Sequence, residues 1–241
     1  MADWRSLERR LTDQLRVSRR PVAVAFLDRE PTGLMKFNGS EPSGCSFWRL
    51  ASAGATFYTV PSDHNNCAVG AYTHRIALAP ERANELEQTL GLMLKVGYIR
   101  AEEVAGIHQL PSTPRAIVYS PLAEAPVDPS VVLFACQPAA AMLLNEAAMS
   151  VGVGSGAYLL GRPTCMALPA AMANGAVTSL GCIGNRVYTD LADDELYTVV
   201  SGAHLVRVAE AVEAIVAANS QLAEYAQQRR QQLSQPPPPQ L

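Results

Sequence analysis

The sequence predicts an α+β fold in which helices and strands alternate along one large domain. Short apolar runs rich in β-branched residues, such as VAVAFL at 22–27, predict strands. Longer stretches with leucine at helical steps, such as 4–18, predict helices. With 241 residues the chain can bury a substantial core without a disulfide or a metal.

The predicted elements follow one another with short connections. The loop at 29–46 is rich in glycine and proline, and it leads into a short predicted helix, SFWRLASA. Further helices are predicted at 80–99, 101–107, 138–149 and 203–232, and further strands at 56–60, 115–119, 130–135 and 197–200. Turn-rich loops are predicted at 62–73 and at 181–184.

A faint repeat suggests two similar halves, at about 1–110 and 111–232. Cys45 and Cys165 are each followed by a small-residue segment with a Gly-Ala step, and then by a second cysteine and a Tyr-Thr step. Two pseudo-symmetric halves would then face one shared site, and chance similarity among small residues is the alternative. Residues 233–241, with the run QPPPPQ, are predicted to be a flexible proline-rich tail.

Composition limits the compartment and the partners. The formal net charge of −3 argues against nucleic acid or an anionic membrane as partner. The longest uncharged run, 163–185, is broken by prolines and glycines, so no membrane span is predicted. The first residues have no apolar signal core, which predicts a cytoplasmic, reducing location. Only 17% of residues are charged, which would suit a homodimer that covers apolar surface.

Four of the five cysteines share a local context. They lie beside Gly, Pro or Asn in PSGC, NNCAVG, RPTC and LGCIG, and they are Cys45, Cys67, Cys165 and Cys182. An anionic thiolate centre needs backbone N–H groups close to its sulfurs, and small residues permit that approach. Cys136 ends an apolar strand and is predicted to be ordinary core. There is no C-x-x-C motif, so neither a thioredoxin motif nor a zinc ribbon fits.

Several short motifs together give a resemblance to a known family. They are PVAVAF at 21–26, FYTV at 57–60, CAVGAY at 67–72, VYSPL at 118–122, VVLF at 131–134, GRPTC at 161–165 and SLGCIGNR at 179–186. With them, residues from about 4 to about 230 resemble the domain-of-unknown-function family 169, found mainly in archaea and bacteria. The resemblance implies a role for Cys45, Cys67, Cys165 and Cys182, and it implies no established reaction. Ala68 stands where the family commonly has proline.

The favoured hypothesis is a 4Fe–4S cluster held by these four thiolates, with a redox or electron-transfer role. Dispersed ligands in uncharged, glycine-rich surroundings suit such a cluster better than zinc, whose structural sites use close pairs of ligands. A redox partner protein or a small-molecule substrate would then be expected. Two alternatives remain: a non-catalytic carrier of zinc, copper or a tetrapyrrole, and a thiol-dependent enzyme with a cysteine nucleophile.

Two residues near the cysteines are candidates for a supporting role. His64 could replace a ligand, donate a hydrogen bond to one, or move protons, and a surface loop histidine is the alternative. Arg186 could neutralise a cluster or bind an anionic substrate. Its alternative is a surface ion pair with Asp190 or Asp194.

Overall fold

A computed structural model describes residues 2–154 and 159–234. Its helices are α1 (Trp4–Leu15), α2 (Ser46–Ser52), α3 (Ala68–Thr73), α4 (Pro80–Lys95), α5 (Ala101–Val104), α6 (Pro138–Ser150), α7 (Ala167–Asn174), α8 (Ile183–Thr189) and α9 (Gly202–Ser234). Its strands are β1 (Val22–Leu27), β2 (Phe57–Thr59), β3 (Ala116–Pro121), β4 (Val131–Cys136), β5 (Leu159–Leu160), β6 (Ala176–Ser179) and β7 (Leu196–Ser201). The α+β class is confirmed.

The described strands form one sheet in the order β2-β3-β1-β4-β7-β6-β5. All neighbours are antiparallel except β5 and β6, which run parallel. The central pair β1–β4 is flanked by β3 and then β2 on one side, and by β7 and then β6 on the other. The strand order is compatible with the predicted duplication, which stays a prediction. If the chain is duplicated, this strand order would place the boundary between the two halves after β3, beyond residue 110.

Helices cover both faces of the sheet because its central strands alternate their apolar side chains. On β1, Val22 and Val24 pack with α2 and α7, whereas Ala23 between them packs with α1, α6 and α9. Trp48 on α2 and Leu144 on α6 are buried in the two resulting cores. Of the four cysteines of interest, Cys45 and Cys165 belong to the core on the α2 and α7 side.

Two predicted loops contain helical residues, since α8 begins at Ile183 inside the loop predicted at 181–184. Residues 68–73 form α3, although the glycine and asparagine content of 62–73 had predicted only turns. Cys67 caps this helix, because its sulfur accepts a hydrogen bond from the Gly70 N–H at 3.3 Å. The Thr73 hydroxyl then donates to the Gly70 carbonyl at 2.8 Å. Local side-chain bonds thus stabilise a helix too short for the periodicity of the sequence to indicate.

At the C-terminus, α9 is longer than predicted. It runs through Ser234, two residues into the predicted tail, and residues 235–241 lie outside the described part of the chain.

Of the described helices, none is both long enough and apolar enough to span a bilayer.

The buried carboxylate of Glu8 on α1 forms hydrogen bonds with other parts of the fold, and its removal should destabilise the protein. Glu8 accepts hydrogen bonds from the Arg20 guanidinium at 3.1 Å and from the Ala123 backbone N–H at 2.6 Å. We expect Glu8→Ala to lower the free energy of unfolding by about 1–3 kcal/mol, because it leaves a backbone donor without this acceptor.

The matched control is Glu213→Ala on α9. Glu213 forms an exposed pair with Arg10 at 3.7 Å, and its side chain is 69% exposed. Exposed ion pairs of this kind contribute about 0–1 kcal/mol to the free energy of unfolding. Urea unfolding curves of both variants measure the difference in stability. Equal urea midpoints for the two variants would contradict a structural role for Glu8.

Candidate metal centre

Each of the four cysteines precedes or begins a helix. Cys45 directly precedes α2, Cys67 caps α3, and Cys182 directly precedes α8. Cys165 lies in the 3₁₀ turn Thr164–Met166, which continues into α7. The first N–H groups of a helix have no intrahelical partner and can serve an anion, and at Cys67 the sulfur already accepts such a bond from the Gly70 N–H.

The charges of the four thiols interact, although the thiols come from two segments that are distant in the sequence, 45–67 and 165–182. Burial, with smaller contributions from Cys67 and Cys182, raises the pKa of Cys45 to about 11. Burial likewise raises the pKa of Cys165 well above its usual range, with added contributions from the other three cysteines. The pKa of Cys67 is raised by burial and then by Cys182. Every pair among the four is therefore close enough for their charges to interact.

The four thiols are neighbours without forming a closed single-ion site. Among the described residues, no group of three or more His, Cys, Asp or Glu side chains is arranged to hold a metal ion. A zinc–thiolate site places every sulfur about 2.3 Å from one ion, which requires closely clustered sulfurs.

Neutral hydrogen-bonding groups lie beside the sulfurs of Cys45 and Cys67. The Cys45 sulfur lies 3.0 Å from the Ser43 hydroxyl, and the backbone N–H groups of Gly44 and Gly70 oppose the rise in the pKa of Cys67. A Cβ atom on Gly70 would lie only 2.8 Å from the Cys67 sulfur, so glycine lets the backbone approach the thiol. Such hydrogen bonds favour the thiolate form, which is the form that binds metals.

Comparison with protein families gives one match. The family model DUF169, described as an uncharacterised ArCR, matches residues 10–211. The chain belongs to the DUF169 family. No curated protein and no solved structure matches it. The resemblance found in the sequence motifs is thus confirmed, and the family brings no established reaction with it.

In this DUF169 protein His64 is buried beside the loop that carries Cys45. It is 1% exposed, so the surface alternative is wrong. Its Nε2 atom lies 2.9 Å from the Thr59 hydroxyl, while its Nδ1 atom has no hydrogen-bond partner among the described residues. A Cβ atom on Gly44 would lie 3.5 Å from that Nδ1 atom. Its role toward a bound centre stays a prediction.

Arg186 connects the Cys182 loop to the segment before β7. Its guanidinium donates to the carbonyls of Leu180 and Ala192, both at 2.6 Å, and to that of Glu195 at 3.0 Å. Within the described residues it makes no ion pair with either aspartate named above. The contacts give Arg186 a structural role, and its action on a cluster or an anionic substrate stays a prediction.

Sequence analysis missed three buried polar side chains in this part of the fold. His74, Tyr119 and Asn185 are each at most 2% exposed. Both ring nitrogens of His74, the Tyr119 hydroxyl and both amide atoms of Asn185 have no hydrogen-bond partner among the described residues. Nothing in their sequence context marks His74 or Tyr119. Asn185 does carry a signal, because it follows Cys182 by one helical turn.

The two buried histidines predict acid sensitivity of the metal-free protein. Burial lowers the pKa of His64 to about 3, with a further effect of His74, and burial lowers the pKa of His74 to about 4. Both are neutral in the folded protein, whereas the unfolded chain protonates them near pH 6.5. Below that pH the unfolded state binds more protons, so stability should fall as the pH falls from about 6.5 toward 4.

Each histidine can contribute up to about 1.4 kcal/mol per pH unit within this window. Urea titrations of the metal-free protein between about pH 7.5 and about pH 4.5 measure the slope. We expect His74→Phe to reduce the slope, because it removes one of the two groups. An unchanged slope would contradict the assignment of part of the pH dependence of stability to His74.

Proposed function

We propose that Cys45, Cys67, Cys165 and Cys182 bind a 4Fe–4S cluster, and that the protein uses it in electron transfer or a small redox reaction. The observation that supports this most is the convergence of four thiols from two distant segments, 45–67 and 165–182, at the starts of helices. Four thiolates are the usual ligand set of such a cluster.

The surroundings of the thiols fit an anionic, protein-bound cluster. Their described partners are hydroxyls and backbone N–H groups, such as Ser43 and Gly70. Burial keeps the free thiols protonated, since it raises the pKa of Cys45, Cys67 and Cys165. Bound metal cations reverse this preference and ionise coordinating thiols. A bound 4Fe–4S cluster supplies one-electron chemistry at a potential between roughly −700 and +450 mV.

The same contacts weigh against a thiol enzyme. A cysteine nucleophile needs a depressed pKa, usually beside a cationic group. Here burial raises the pKa of three of the four thiols, His64 is neutral, and the Arg186 guanidinium donates to backbone carbonyls. A carrier of zinc, copper or a tetrapyrrole has no specific contact in its favour and is distinguished from a cluster protein by metal and sulfide content.

The redox role is tested by reduction of the anaerobically purified protein. We expect a brown protein whose broad visible absorption bleaches with dithionite and recovers on oxidation, accompanied by an electron paramagnetic resonance signal in the reduced state. A protein that contains iron and sulfide but shows no reversible change would contradict electron transfer. The control is the same sample after chelation of its metal.

A further inference from the structure

The Asn185 amide is a buried polar group that makes no hydrogen bond of normal geometry within the described residues. The residue is 2% exposed, and neither its Nδ2 nor its Oδ1 atom has a hydrogen-bond partner among the described residues. Leaving such a group unpaired typically costs about 1–3 kcal/mol. Most buried polar side chains in proteins are paired, so this exception calls for an explanation at the site it faces.

The position of Asn185 gives that explanation. It lies on α8, three residues after Cys182, where α8 packs against α2. Its Oδ1 atom would lie 3.3 Å from a Cβ atom on Gly181, so the amide is held against the Cys182 loop. It is also close enough to Cys45 and Tyr197 to oppose the rise in the pKa of both, although it forms no hydrogen bond of normal geometry with either.

We infer that the Asn185 amide donates a hydrogen bond to the Cys45 sulfur of the loaded centre and thereby sets its reduction potential. The inference rests on the proposed cluster. Asn185 comes from the second cysteine segment and Cys45 from the first, so this bond also joins the two segments. It is a positioning residue, since it acts through a ligand.

The physical consequence is a bias between redox states. Reduction adds negative charge to the cluster and its sulfurs, so a donor to a ligating sulfur stabilises the reduced state more than the oxidised state. Removing the donor should therefore lower the potential.

The test is the midpoint potential of the loaded protein with Asn185→Leu, which keeps the side-chain size and removes both polar atoms. We expect the midpoint potential to fall by about 59 mV, which for one electron corresponds to a tenfold shift of the redox equilibrium toward the oxidised state. The matched control is Asn174→Leu on α7, because the Asn174 amide donates to the Ala170 carbonyl of its own helix at 2.9 Å. The control should keep the wild-type potential.

A second variant, Asn185→Ala, covers the case in which leucine does not fit. It removes the donor without adding bulk, and we expect a shift in the same direction. Variants that load iron and sulfide normally but keep the wild-type potential would overturn the role of Asn185 and leave the proposed cluster intact. A wild-type protein without iron and sulfide would overturn both.

Discussion

Replacement of any one of Cys45, Cys67, Cys165 or Cys182 by serine should remove most of the bound iron and sulfide. A serine hydroxyl stays protonated at neutral pH and is a much poorer ligand for iron than a thiolate. Because the charges of the four thiols interact and the thiols come from two segments, each substitution should open the same proposed centre. Iron and acid-labile sulfide per chain, measured after anaerobic purification, check the prediction.

The matched control is Cys136→Ser. Cys136 is also buried, but it lies on β4, where its sulfur is 3.9 Å from the Thr198 hydroxyl. It belongs to the core on the α1, α6 and α9 side of the sheet. This variant should keep its iron. Loss of iron from Cys136→Ser, or full retention in any of the four others, would contradict the assigned ligand set.

The largest loss of stability from one buried side chain is expected for Phe47→Ala. Phe47 is fully buried, and its ring centroid lies 5.1 Å from those of Phe37 and His64 and 5.4 Å from that of Tyr119. Truncation of a buried phenylalanine to alanine typically costs about 3–5 kcal/mol through lost burial and a residual cavity. Because Phe47 follows Cys45 by two residues, metal content should fall as well.

Denaturant unfolding of the metal-free protein measures the loss without interference from the cluster. Tyr225→Ala on α9 is the control, since Tyr225 is 65% exposed, and its effect should stay within about 0.5 kcal/mol. A loss below about 1 kcal/mol for Phe47→Ala would mean that the surrounding side chains collapse into the cavity, and it would contradict the predicted importance of the Phe47 ring contacts for stability.

Much of the fold could be predicted from the sequence. The apolar runs of β1 and β4 and the leucine spacing of α1 indicated their elements, because burial of one face produces a periodic pattern. The short helix α3 could not be predicted that way, since six residues give no period. The pairing of β1 with β4 also has no local signal, because it depends on which strands meet in the folded chain.

The candidate site was predicted as a set of residue types, not as a geometry. Glycine and proline neighbours and the family resemblance indicated the four cysteines, whereas their mutual proximity depends on how α2, α3, α7 and α8 pack on one face of the sheet. The importance of His74, Tyr119 and Asn185 follows from burial without partners, which sequence cannot reveal. His64 stood near Cys67 in sequence, but its burial came only from the fold.

The most direct test of the proposed centre is the content of iron, acid-labile sulfide and zinc per chain in the anaerobically purified wild-type protein. A 4Fe–4S cluster predicts about four iron and about four sulfide per chain, with little zinc. Zinc near one per chain without sulfide, or no metal bound at all, would contradict the proposal.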